Sequence, residues 1–324
     1  MAVVPPSATS DSVTGDPNVA ATGRTATGRR VPLLGGLRWP NAREIGVGRY
    51  FARTAMVVLA GVALGLCINL VVLSQFEHRA AQTRAFNRLR VELAEGVAPS
   101  GPVDANGRLL SEGTPVALLE IPVVGIHEVV LEGTSSDVLR LGAGHQRNTV
   151  LPGQPGVSVI DGRAAAYGGP FRGLGRLHKG DKLTVTTGIG TSTFLVLDLR
   201  RAHDLEPPPI APNNGRLILV TATGAPFLPT SVLRVDADLV SPVQSASPAG
   251  LTSVSASEQP LGTDTSKLWE LVLVLEAMIA VTVAAAWSWR RWGRTQTWIV
   301  FFPLAMLLGI YLTNQVARLL PNLL

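Results

Sequence analysis

The 324-residue sequence predicts a mainly β domain outside a membrane, tied to it by three transmembrane α-helices. Three observations predict this class. Residues 54–76, 268–289 and 298–320 are apolar runs of about spanning length. Arginines cluster on one side of those runs, as cytoplasmic flanks do. Between the first and second runs lie short β-like stretches punctuated by glycine and proline, the pattern of a closed or sandwich-like β domain.

Composition narrows the function classes. Hydrophobic residues make up 46% of the chain and charged residues only 16%, which favours membrane attachment. The net charge of +5 comes mostly from arginines beside apolar runs, with lysine only at Lys179, Lys182 and Lys267. That distribution speaks for membrane topology and against a nucleic-acid surface. A single cysteine, Cys67, excludes an intrachain disulfide, a Cys-x-x-Cys redox pair and a multi-cysteine zinc site.

Taken in order, residues 1–53 are rich in Ala, Thr, Gly, Pro and Arg without a periodic apolar face, and read as a disordered cytoplasmic segment. Arg24, Arg29, Arg30, Arg38, Arg43, Arg49 and Arg53 precede the first span, 54–76, and place its N-terminal end in the cytoplasm. The span starts late, exceeds a signal-peptide core and lacks a small-x-small cleavage site after it, so it reads as uncleaved. Residues 77–100 follow as a juxtamembrane helix ending near Gly96.

The β domain occupies 101–242, with strands expected at 116–122, 156–161, 181–187, 191–199, 216–222 and 231–240. "TTGIGTST" joins the third and fourth as a hairpin. A Ser/Pro/Gly-rich stretch, 243–267, reads as a flexible linker back to the membrane. The second span, 268–289, and the third, 298–320, flank a loop at 290–297 whose Arg290, Arg291 and Arg294 place it in the cytoplasm. Residues beyond 320 then fall outside. Trp269, Trp287, Trp289, Trp292 and Trp298 sit where interfacial aromatics belong.

"LEIPVVGIHEVVLEGTSSDVLRLGAGH" (119–145), "TVLPGQPGVSVIDG", "YGGPFRGLGRLHKGDKLTVTT" and "LVTA" come in an order that resembles the sortase barrel over about 114–241. With its three spans the chain resembles the class E-like, three-span form of that family. The resemblance implies a membrane-anchored cysteine transpeptidase on the outer face of a Gram-positive-type cell. It also implies where the catalytic groups belong, and two of the three are replaced. The histidine position is Arg163, within Gly162-Arg163-Ala164, and the cysteine position is Ala222; the arginine position is kept as Arg234. Acyl transfer of this kind needs a thiolate to attack and an acid to protonate the departing amine, and a methyl group does neither.

The resemblance therefore implies a catalytically inactive protein acting as a binding or scaffold subunit of an envelope membrane complex, without cofactor. The alternative is a working transpeptidase or hydrolase with other catalytic residues. Arg163 is either a recruited anion-binding group or a solvated replacement beside Asp161. With Arg234 it would form a cationic cradle for an anionic peptide or envelope ligand. Thr221 and Thr223 lack a recognisable base. His145 reads as structural. His78, His127, His178 and His203 lack metal-ligand spacing, so no metal is assigned. Glu270 and Glu276 lie inside the second span, where a carboxyl is costly unless protonated or paired. Glu270 can reach the interface, and Glu276 pairs either within the hairpin or with the span of a partner membrane subunit.

Overall fold

Alternating side chains decide which face of each strand is buried, and the resulting strands close into a barrel. In this computed structural model the described residues are 67–104, 106–225, 228–245, 251–263 and 268–323, with positions 49, 56, 60, 61, 64 and 65. The strands are β1 (Pro115–Ile121), β2 (Ile126–Glu132), β3 (Ala143–His145), β4 (Gly156–Asp161), β5 (Lys182–Thr187), β6 (Gly190–Arg200), β7 (Gly215–Ala225) and β8 (Leu228–Leu239). Their order around the closed barrel is β1-β2-β3-β4-β7-β8-β6-β5. Two neighbouring pairs, β2–β3 and β4–β7, run parallel. Closure removes the exposed edges that a sandwich would leave.

On β7 the inward set is Leu217 and Leu219, and on β8 it is Leu233, Val235, Ala237 and Leu239. These pack with Ile160, Phe171, Leu183, Val185 and Phe194 as one interior. A fully buried aliphatic or Phe side chain contributes about 1.5–3 kcal/mol. The period of two then turns Ile218, Val220 and Ala222 on β7, and Val232, Arg234 and Asp236 on β8, to the outer face. There Asp236 is bidentate with Arg200, and Arg216 Nε donates to Asp238 at 2.6 Å.

A helix covers the β1–β2 wall. α1 (Ser74–Ala94) follows a π-helical turn, Asn69–Leu73, and ends before Gly96, whose φ of +69° suits glycine. Leu89 packs with Val129, Leu131 and Val138, flanked by Ala85, Phe86 and Leu118. Gln82 holds the contact: its amide donates to the carbonyls of Val129 and Leu141, and its oxygen accepts from Val129 N–H. The helix is therefore docked along the barrel and is more than a spacer.

The remaining helices are α2 (Ser136–Leu139), α3 (Leu268–Arg291) and α4 (Arg294–Arg318). α3 and α4 are both long and apolar enough to cross a membrane. Arg294 to Thr297, expected as loop, already belong to α4, so the connection shrinks to Trp292-Gly293. Gly293 adopts φ +96°, and Thr297 Oγ1 donates back to its carbonyl. The expected cytoplasmic segment, 1–53, and much of the expected first span, 54–76, lie outside the described residues. So do parts of the expected linker; its described portions, 243–245 and 251–263, contact the barrel, since Gln244 N–H donates to Gly153 O, Leu251 N–H to Arg147 O and Thr134 Oγ1 to Glu258 O.

Candidate functional site

The site is built where β4, β7 and β8 lie side by side. Strand β7 does not end at Ala222, as its sequence suggests. It runs on to Ala225, and Ala222 pairs with Val232 in a hairpin with β8, with a register shift between Thr223 and Gly224. Gly224, at φ +130°, takes the backbone shape this irregularity needs. Ala222 is only 9% exposed and carries a methyl group on the outer face. Thr221 points inward and donates to Gly162 O at 2.8 Å, which occupies its hydroxyl.

At the end of β4 the chain turns through Gly162, where a Cβ would lie 2.4 Å from the Phe171 ring. Only glycine fits that approach. The turn carries Arg163 away from Ala222 and into the protein. Arg163 is 0% exposed; its Nη2 donates to Ser136 Oγ at 3.0 Å, and its guanidinium lies 5.0 Å from the centre of the Tyr167 ring. Arg140 approaches the same ring at 5.3 Å and pairs with Glu77 at 2.6 Å. Burial pulls the Arg163 pKa down to about 10, with repulsion from Arg140 adding to it. Neither expectation for Arg163 holds. It is not a solvated residue, and it does not join Arg234 in an anion cradle, because its charge is spent on Ser136 and Tyr167 behind the site.

Asp161 and Arg234 are brought into one row instead. Asp161 pairs in register with Val220, and Val220 with Arg234, so the three share the outer face. Asp161 is 0% exposed, and neither of its carboxylate oxygens has a hydrogen-bond partner. Burial pushes its pKa up to about 7 against the opposing charge of Arg234. Arg234 is half-buried and makes no side-chain hydrogen bond or ion pair among the described residues.

Beside Ala222 lies a cavity of about 480 Å³, lined by Ala164, Phe171, Arg172, Thr221, Thr223 and Leu233 among others. Neither Arg163 nor Arg234 lines it. Over the outer face sits Leu323, from beyond α4, clustered with Leu139, Val220 and Ala222. Sequence reasoning placed the residues beyond 320 outside the membrane but missed this contact, since four residues after a span carry no pattern that points to the barrel. His145 is buried, with Nδ1 2.9 Å from Glu132 Oε2 and Nε2 3.0 Å from Val150 O, a structural role within β3. Among the described residues no cluster of His, Cys, Asp and Glu is placed to hold a metal.

Within the helix pair, Glu270 accepts from Gln315 at 2.8 Å and from Tyr311 at 3.2 Å. Glu276 is exposed on α3 and has no hydrogen bond or ion pair among the described residues.

Comparison with known proteins converges on the barrel. Residues 119–229 match the family described as Sortase domain. Sortase D of Bacillus subtilis (strain 168) is 28% identical over 115 residues, which are 36% of this chain and 57% of that relative. Among solved structures, a sortase D5 transpeptidase from Clostridium perfringens is 21% identical, covers 50% of this chain and 99% of its own, and has a TM-score of 0.42. Sortase C-1 from Actinomyces oris is 27% identical over 39% of this chain and 75% of its own, with a TM-score of 0.35. The family match, which spans the strands that carry Ala222 and the Gly162 turn, supports the sortase family for the barrel.

Proposed function

We propose that this chain is a catalytically inactive, sortase-like membrane protein of the class E-like, three-span form. In this reading its barrel is an extracytoplasmic binding or scaffold module, and its helices assemble with membrane subunits of an envelope complex. One observation carries the reading: the β7 position expected to hold a nucleophile is the methyl group of Ala222, nearly buried and clustered with Leu323. The expected histidine position holds Arg163, whose guanidinium is turned to Ser136, so that position supplies no imidazole acid. Arg234, half-buried on the outer face and without a side-chain hydrogen bond or ion pair among the described residues, is suited to an anionic peptide or envelope ligand. Glu276, exposed on an apolar helix, supports a polar membrane partner. The arginine asymmetry supports a multi-pass plasma-membrane protein with residues 1–53 inside and the barrel outside.

The second reading, a working enzyme, is favoured by Asp161, whose buried carboxyl titrates near neutrality as an acid–base group would. It also agrees with a structural neighbour that is a transpeptidase by name. Incubation of the purified chain with a fluorogenic LPxTG-like sorting peptide, with and without an amine acceptor, separates the two. No turnover above background is expected. Turnover that is lost in Asp161→Asn or Arg234→Ala would overturn the inactive reading. Purification in mild detergent from the native cell, followed by mass spectrometry, identifies the accompanying subunits.

A further inference from the structure

Leu323 is 0% exposed, although it follows a helix of membrane length. Its side chain completes an apolar cluster with Leu139 of α2, Val220 and Ala222 of β7, and the flanking Val159, Ala164, Ile218 and Val232. Its carbonyl accepts a hydrogen bond from Ala164 N–H at 3.0 Å, one residue past Arg163. Asn322 is also 0% exposed and faces the other way. Its N–H donates to Gly262 O at 3.0 Å, and its side-chain amide donates to Ser257 O at 2.6 Å and Gln259 O at 3.0 Å.

Those three acceptors lie in the segment before α3, which is itself fastened to the barrel. Thr134 Oγ1 donates to Glu258 O at 2.7 Å, and Glu258 is buried beside Glu112, whose charge raises the Glu258 pKa along with burial. The residues before α3 and those after α4 are thus knotted together on the barrel. The helix pair between them is joined to the barrel at both of its ends, after α4 by Leu323 on the β4–β7–β8 face and before α3 by Glu258 on the loop that follows β2.

We propose that residues 321–323 form an intramolecular strap that covers the outer face at Val220 and Ala222, so that a group reaching these two side chains from outside the barrel must first displace the strap. The geometry is specific. Leucine supplies the apolar plug, its carbonyl caps Ala164 N–H, and asparagine bridges to the segment before α3. Pro321 fixes φ at the entry to the plug, and Asn322 and Leu323 follow in a turn. The contact area is small, two residues, as a reversible closure requires. The strap also makes the face answerable to the membrane helices, because movement of α4 relative to the barrel pulls directly on Asn322 and Leu323.

The test uses the full chain with Cys67→Ser and a single reporter, Ala222→Cys, labelled with a water-soluble maleimide. Labelling should be at least tenfold slower than at the exposed position in Ser100→Cys. Leu323→Asp, Asn322→Ala and deletion of residues 321–324 should each bring the rate to within a few-fold of that reference. A peptide with the sequence of residues 319–324 should slow it again in the deletion variant, and a scrambled peptide should not. Val235→Cys, deep in the barrel interior, separates undocking from unfolding by staying protected in every strap variant. Where Leu323→Asp exposes Val235→Cys as well, the milder Asn322→Ala decides. Fast labelling of Ala222→Cys in the intact chain, or unchanged protection when the strap is altered and the interior remains closed, overturns the proposal.

Discussion

Asp161 and Arg234 stand in one row across three strands, with Val220 between them and no hydrogen bond on either Asp161 oxygen. The carboxyl is held mainly by its burial, which favours the neutral form and raises its pKa from 3.8 to about 7. The folded state therefore binds a proton that the unfolded chain releases over that interval. This contribution to stability is fully present below about pH 3.8 and is lost as pH rises to about 7. Asp161→Asn should flatten that part of the stability profile, read as the unfolding midpoint in detergent across the pH range. A slope unchanged by the substitution would assign the titration elsewhere.

Arg163 is a buried cation with two guanidinium nitrogens, Nε and Nη1, left without partners. Buried charges of this kind are often replaced by apolar groups of similar length at no loss. Arg163→Met should change stability by less than about 1 kcal/mol or raise it. Arg163→Ala should cost about 2–4 kcal/mol, because it leaves a cavity against Tyr167. Denaturant titration of the two variants side by side checks the order. Equal losses in both would mean that the charge itself is needed.

The barrel walls were legible because six of the strands alternate or run apolar between turn residues, as 231–240 does. β2 and β3 were not. His127 and Glu128 interrupt the apolar pattern of β2, and β3 has only three residues. At the site, the positions of Ala222, Arg163 and Arg234 could be placed by their order in the chain. The direction of Arg163 could not, since an arginine after a strand normally finds water, and only the crowding of Gly162 on Phe171 turns it inward. The pairing of Glu270 with Gln315 follows from both lying near the same end of the helix pair. Closure by Leu323 joins residues a hundred positions apart, and no local pattern carries that information.

Gln82 is the polar clasp between α1 and the barrel. Its loss leaves Val129 N–H and the carbonyls of Val129 and Leu141 without their side-chain partner. Gln82→Leu should destabilise the chain by about 1–3 kcal/mol, the cost of a buried unsatisfied group. Hydrogen exchange at the Val129 amide should rise by more than the global change. A uniform rise across the barrel would mean that the clasp is not local.

Glu276 offers a direct test of assembly. Glu276→Leu makes α3 more apolar, so insertion should be unimpaired, while a partner that neutralises the carboxyl should be lost from mild-detergent preparations. Glu270→Gln, whose hydrogen bonds within the helix pair survive in neutral form, should keep that partner. Retention of every partner by Glu276→Leu removes the helix pair from the scaffold proposal.

Orientation is checked by impermeant labelling in a Cys67→Ser background. Ser100→Cys should react in intact cells and Gln296→Cys, exposed at the start of α4, only after permeabilisation. Ser288 is a poor reporter for that side because it is buried against Thr297. The opposite pattern reverses the topology.

The strap has a consequence for biogenesis. All eight strands are complete at Leu239, yet Leu323 is synthesised 84 residues later, after both apolar helices. At about 5–20 residues per second, translation alone leaves the Ala222 face uncovered for roughly 4–17 s. During that interval the nascent barrel presents Val220, Ala222 and Val232 to the secretion machinery and to any chaperone nearby. A subunit that must be loaded onto this face meets no competition from the strap until α4 and Leu323 have been made, and only afterwards must it displace them.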